Sequence, residues 1–231
     1  MAKRFYKEVS CVETEGGYGV LLDGRAIKTP AGSPLVIPHR KLAEAVASEW
    51  EAQGEDINPQ SMPLMQLSAT ALDRVPTVRD GLIEGVLRYA DTDLLCYRTE
   101  HPDDLVRKQA KVWQPLLDWA AAELGVTFAV AAGIVPIAQD PAIHPALRAH
   151  LTALDDWTLT AVAELVGISG SIIVGLAVHK GRLDADGALQ VCHLDEDYQI
   201  ERWGKDEEAL TRRKNIATDI FNATRFMQLL G

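Results

Sequence analysis

"GGYGVLLDGRAIKTPAGSPLVIPHRKLAEAVASEWEAQ", residues 16–53, contains the change of period that decides the fold. Up to Ile37 the chain offers short runs of Val, Leu, Ile and Tyr broken by "GGYG", "DGRA" and "PAGSP", which is turn punctuation at hairpin spacing. The Asp23-Gly24 step suits a tight hairpin turn whose two central residues both take positive φ. From Pro38 the spacing becomes helical, and Leu42, Val46 and Trp50 recur on one face as an expected buried stripe. A sheet of this size cannot make a robust core alone, so its apolar face is expected to pack on another element.

Working outward, the segment before this stretch continues the strand pattern from Phe5, and almost everything after it reads as helix. Helices are expected over residues 77–89, 103–124, 146–166, 171–180, 185–203 and 206–230. Pro115 is expected to kink or split the second of these, because it lacks a backbone donor and crowds the preceding turn. One strand-like run, "TFAVAAGIVPIA", interrupts the series. The fold class is therefore α+β: a small antiparallel β-rich N-terminal domain with the first helix, residues 1–70, then a larger, mainly α-helical domain, residues 71–231.

Composition narrows the function. With 33 acidic against 23 basic residues the formal charge is −10, which disfavours nucleic acid and anionic membrane surfaces and favours neutral or basic partners. Cys11, Cys96 and Cys192 are odd in number and in no paired spacing, so neither a disulfide framework nor a zinc site is indicated. The longest apolar run, "SIIVGLAV", is too short to span a bilayer. The opening "MAKRFYKEVS" carries no leader-like pattern, so the expected location is a bacterial cytoplasm, or the mitochondrial matrix for a mature eukaryotic form.

The sequence carries no recognisable catalytic or cofactor motif. No phosphate loop is present, and the glycines of "EGGYGVLLDG" lie between two strands, whereas a dinucleotide fingerprint places them between a strand and a helix. "GISGS", Gly167 to Ser171, departs from the nucleophile elbow; Ser169 or Ser171 is better read as the cap of the next helix. The six histidines are scattered, and His193 beside Cys192 cannot converge with it, since adjacent helical residues diverge by about 100°. No cofactor, metal or catalytic residue is expected.

The remaining candidate is "HLDEDYQIERWGKDEE", residues 193–208. It fails as a calcium loop: counted from Asp195, the sixth residue is Ile200 and the twelfth Asp206, where glycine and glutamate are required. Asp197 and Glu201, at i and i+4, could share one helix face as an acid-base pair, but such pairs only repel weakly when exposed, and Glu201 with Lys205 and Arg202 with Asp206 turn the pattern into a solvated ladder. Val191, Leu194 and Tyr198 make a buried stripe, while Trp203, just before Gly204, is either a local anchor or an interface hot spot.

Several blocks of the chain resemble the ATP-twelve family of ATP synthase assembly chaperones. They are "RFYKEV", "LDGRAIKTPAG", "LAEAVASEWEAQGEDINPQSMPL", "DTDLLCYR", "WQPLLDWA" and "LDEDYQIERWGKDEEA", in that order over nearly the whole length. Met65 and Gln66 depart from the family's pattern, which puts a basic group there in doubt. The resemblance implies an ATP-independent assembly chaperone, not an enzyme, that binds the free alpha subunit of the F-one sector until beta replaces it. It also implies a client face drawn from Glu196, Asp195, Tyr198, Trp203 and Glu207, with Glu196 foremost. Trp50, Trp113 and Asp93 are read as structural, and the protein as a monomer. Two other classes stay open: a small carboxylate-dependent hydrolase using Glu196 or Asp195, and a stable subunit of a larger complex.

Overall fold

A computed structural model describes residues 2–133, 137–204 and 207–231. The N-terminal sheet forms as the punctuation requires. Strands β1 (Val9–Thr14) and β2 (Gly17–Leu22) pair antiparallel, and β3 (Arg25–Ala26) and β4 (Val36–Ile37) share the other edge of β2, one after the other. Asp23 (φ 47°) and Gly24 (φ 76°) both lie in the left-handed region, the geometry the Asp-Gly step predicts between β2 and β3. Gly17 is fixed by a close approach: a Cβ there would lie 2.5 Å from the Ile37 carbonyl oxygen.

One face of this sheet supplies Val20, Leu22, Leu35 and Ile37 to a core completed by Leu42 and Val46 of α1 (Arg40–Glu51) and by Leu64 and Met65 of α2 (Pro63–Ala69). Glu49 on α1 accepts from the Leu64 and Met65 amides, both at 2.8 Å, and so caps the N-terminus of α2. Trp50 is only partly buried; its ring meets Tyr6 edge-on at 5.8 Å, and the Tyr6 hydroxyl donates to its carbonyl.

Two compact units result. The first holds residues 1–79, 156–161 and 225–231; the second holds 80–155 and 162–224. Unit 1 thus draws in two segments beyond the expected 1–70: Trp157 stacks on Phe226 at 6.1 Å, and Phe226 is fully buried in its core. The boundary at Arg79 follows a bend at Val78 (φ −125°, ψ 15°) in α3 (Val75–Leu87).

Unit 2 is mainly helical. Its elements include the rest of α3 from Asp80, β5 (Tyr97–Arg98), α4 (Asp103–Trp119), β6 (Ala131–Ala132), α5 (Ile143–Thr152), α6 (Asp156–Ser169, from Val162), α7 (Ile172–His179), α8 (Ala185–Cys192), α9 (Leu194–Trp203) and α10 (Glu207–Gln228, to Thr224). Three expectations need correction. Pro115 leaves α4 unbroken, because it and Lys111, whose carbonyl loses its partner, both face solvent. The helix expected over 146–166 divides around 153–155, just before Asp156 in the first turn of α6. The helix expected over 185–203 divides at His193 (φ −97°, ψ 7°), which places three carboxylates at a new helix N-terminus, where the backbone dipole favours them. Of the strand-like run only Ala131–Ala132 is strand, pairing parallel with β5; Ile134, Val135 and Pro136 lie outside the described residues.

Candidate functional site

The acidic stretch becomes α9, held between α4 and α10. Leu194 and Tyr198 are buried, and the Tyr198 hydroxyl donates to Asp104 Oδ1 at 2.7 Å. Arg202 donates to the other oxygen of Asp104 at 2.5 Å, and Lys108 Nζ meets Glu201 at 2.7 Å. Both cations lie over the Tyr198 ring, at 5.0 and 5.3 Å from its centroid. Gln109, itself buried, donates to Asp195 Oδ1 at 2.8 Å and accepts from the Thr99 amide. On the other side Arg212 and Arg213 of α10 both engage Glu196, and Arg213 also engages Asp197.

The charges therefore form cross-links between helices, which corrects the ladder expected along α9. Glu201 and Arg202 find α4, a contact more than ninety positions away in sequence, while Lys205 and Asp206 lie outside the described residues. Tyr198 is 3% exposed, so it anchors α9 and cannot present a contact to a partner. Glu196 is 21% exposed with two arginines upon it, and Asp195 is committed to Gln109. Glu207 is exposed, next to Glu208 at the start of α10. Asp104, Lys108, Gln109, Arg212 and Arg213 were not legible as site residues, because only the fold gives them partners.

Trp203 is the exception to this tied-down surface. It is the last residue of α9, capped by Gly204 (φ 88°), and it is 77% exposed, which corrects the local-anchor reading. Leu210 is also exposed, and none of the residues with described exposure from Glu207 to Asp219 is fully buried. The end of α9 and the first turn of α10 thus present Trp203 and Leu210 to solvent beside the exposed Glu207 and Glu208, on a base fixed by ion pairs and the Tyr198 anchor.

Two of the residues read as structural, Trp113 and Asp93, lie in unit 2 with the hairpin of α9 and α10. Trp113 is fully buried and donates from Nε1 to the Val191 carbonyl at 3.0 Å. Asp93 is 0% exposed and accepts from the Ser171 hydroxyl at 2.8 Å and from the Leu95 and Ile173 amides, which ties its loop to the N-terminus of α7. Ser171 in turn caps α7 through the Val174 amide, so the "GISGS" stretch is a helix break. Burial raises the Asp93 carboxyl to about 6, and burial followed by the charge of Asp93 raises the Cys192 thiol to about 12. A thiol held up in this way stays protonated and is a poor nucleophile. Burial, then Arg213, lowers His193 below its ordinary value. Among the described residues no cluster of His, Cys, Asp or Glu fits a metal ion, and no helix is long and apolar enough to cross a membrane.

The same fold occurs in solved structures. Atp12 from Paracoccus denitrificans is 42% identical, with a TM-score of 0.94 over 100% of this chain and 99% of that one. The profile of the ATP12 chaperone protein family matches residues 3–121, including the sheet, α1 and α4. The chain belongs to the ATP12 chaperone family. Its relatives include the mitochondrial protein atp12 of Schizosaccharomyces pombe, 30% identical over 90% of this chain and 75% of that protein. ATP12 of Saccharomyces cerevisiae, also mitochondrial, is 24% identical over 90% of this chain and 78% of its own length. Within this family the N-terminal antiparallel sheet followed by a helical part is the shared architecture.

Proposed function

We propose that this protein is an ATP-independent assembly chaperone that binds the free alpha subunit of the ATP synthase F-one sector and prevents its aggregation before beta takes its place. Family membership supports the chaperone role, and the observation that carries the site is Trp203, largely exposed at the end of the braced helix α9. A subunit destined for a large obligate interface exposes an apolar patch beforehand, and such patches aggregate. Covering one requires an apolar contact with a charged rim; it requires neither nucleotide nor a catalytic group. In this reading Trp203 and Leu210 meet the client, and Glu207 and Glu208 set the polar rim. Asp195, Glu196 and Tyr198 act one step back, by holding α9 against α4 and α10. The protein works as a monomer, in the cytoplasm of a bacterium or the matrix of a mitochondrion.

The test is light scattering of purified alpha subunit diluted from denaturant without ATP, with and without an equimolar amount of this protein. Suppressed aggregation that Trp203→Ser abolishes, with an unchanged thermal melt, is the expected result. Scattering that the wild-type protein leaves untouched, with no complex on gel filtration, overturns the alpha-subunit reading.

A further inference from the structure

The sheet of unit 1 has an open edge. The Asp23 amide donates to the Glu8 carbonyl, which fixes the phase of the β1–β2 ladder: Glu8, Ser10, Val12 and Thr14 bond inward to β2. The amides and carbonyls of Val9, Cys11 and Glu13 therefore point away from β2, and no partner takes them among the described residues. The Val9 and Cys11 side chains pack on the core, whereas Val12, Leu21 and Val36 lie on the opposite face, partly exposed. Within the strands that outer face carries Ser10, Val12 and Thr14 on β1, Gly19 and Leu21 on β2, Ala26 on β3 and Val36 on β4, all uncharged, with Glu8, one ladder pair before Ser10, as the charge at its end. A solvated sheet face ordinarily alternates to polar residues, and natural edges are blunted by charge, so the uncharged outer face is unusual.

The charges sit instead along the edge. Between Lys7 and Gly17 there are Glu8, Glu13 and Glu15, all exposed, against the single cation Lys7. Arg40 and Glu44 of α1, which also face Cys11, are paired with each other at 2.8 Å and cancel. The edge is thus acidic, with three unpaired backbone residues at strand spacing. We propose that β1 accepts an extended client segment as an added antiparallel strand, with apolar side chains laid over the uncharged face and Lys or Arg beside Glu8, Glu13 and Glu15. Backbone bonds would supply affinity and the alternating side chains specificity. A second copy of this chain is a poor occupant, because it would set acidic edge against acidic edge.

This inference rests on the client-binding reading above but uses a different surface, so the two can fail separately. Hydrogen exchange of residues 8–15 is measured for the protein alone, in complex with alpha subunit, and with two capped hexapeptides, Lys-Val-Thr-Val-Lys-Val and Glu-Val-Thr-Val-Glu-Val. The expected result is slowing by about tenfold at Val9, Cys11 and Glu13 in the complex, and with the lysine peptide but not the glutamate one. Cys11→Pro removes an outward amide and no ladder bond to β2, and should abolish that protection while keeping the wild-type circular dichroism spectrum; Cys11→Ala, which alters the same partly buried side chain but keeps the amide, should retain the protection. A stable complex that leaves the edge exchanging at its free rate overturns the inference and spares the function. Should no complex form, the alpha-subunit reading fails and the peptides decide: protection by lysine alone upholds the edge, protection by neither overturns it. Concentration-dependent protection with a doubled mass in the protein alone makes the occupant a second copy and also overturns it.

Discussion

Asp93 and Glu196 are both carboxylates at helix N-termini in the same unit, and they are satisfied in opposite ways. Asp93 is wholly buried, meets no cation among the described residues, and is balanced by a hydroxyl and amides. Glu196 is nearer the surface, bound by two arginine side chains, of which Arg212 is open to water. A buried carboxylate with neutral donors can only be a fixed point, since every donor it loses is left dry. A carboxylate paired with arginines at the surface can be rearranged at less cost, which suits the client-binding role proposed for the hairpin.

Substituting Asp93 should have the largest effect. Asp93→Ala leaves the Ser171 hydroxyl and the Leu95 and Ile173 amides unsatisfied, costing roughly 3–5 kcal/mol, which urea melts should register as a proportionate loss of midpoint. The next effect is its pH dependence. Burial raises the folded-state carboxyl to about 6, against an ordinary value near 3.8, so the folded state binds the proton more tightly than the unfolded state. Stability from this group is therefore greatest at low pH and falls as pH rises from about 4 to about 6, by roughly 3 kcal/mol. Compared with Asp93→Asn, which cannot titrate, the wild type should lose that margin across this window in urea melts at stepped pH; a flat difference would deny the buried charge.

On the hairpin the order reverses. Trp203→Ala should move the melt by less than about 0.5 kcal/mol yet weaken client binding by about 30-fold, or 2 kcal/mol, read by titration calorimetry. Equal losses in both would make Trp203 a packing residue and erase the contrast. Smallest of all, Glu196→Gln should cost at most about 1 kcal/mol of stability, and the cost should fade in high salt. A large, salt-insensitive loss would show that Glu196 is as rigidly built in as Asp93.

What the sequence disclosed follows from range. The change of period at Pro38, the Asp23-Gly24 turn, the Ser171 cap and the Trp203-Gly204 terminus are all set within a few residues, and each stands where the spacing places it. The break at His193 was invisible because helical periodicity runs through it; only the backbone dipole acting on Asp195, Glu196 and Asp197 favours a fresh start there. The partners of α9 were hidden for a different reason. Asp104 and Lys108, or Arg212 and Arg213, read as ordinary surface charges until the chain brings them to Tyr198 and Glu196.

The return of residues 225–231 to the first unit sets a timetable for synthesis. Phe226 is fully buried in the core that Val20, Leu42 and Leu64 begin, and Leu229 and Leu230 pack against it. The sheet and its first helices therefore emerge from the ribosome early but close late, after nearly all of the second unit has been made. Through that interval the N-terminal segment holds an unfinished apolar core. A protein whose family shields other chains is itself, while nascent, a chain with a patch to shield.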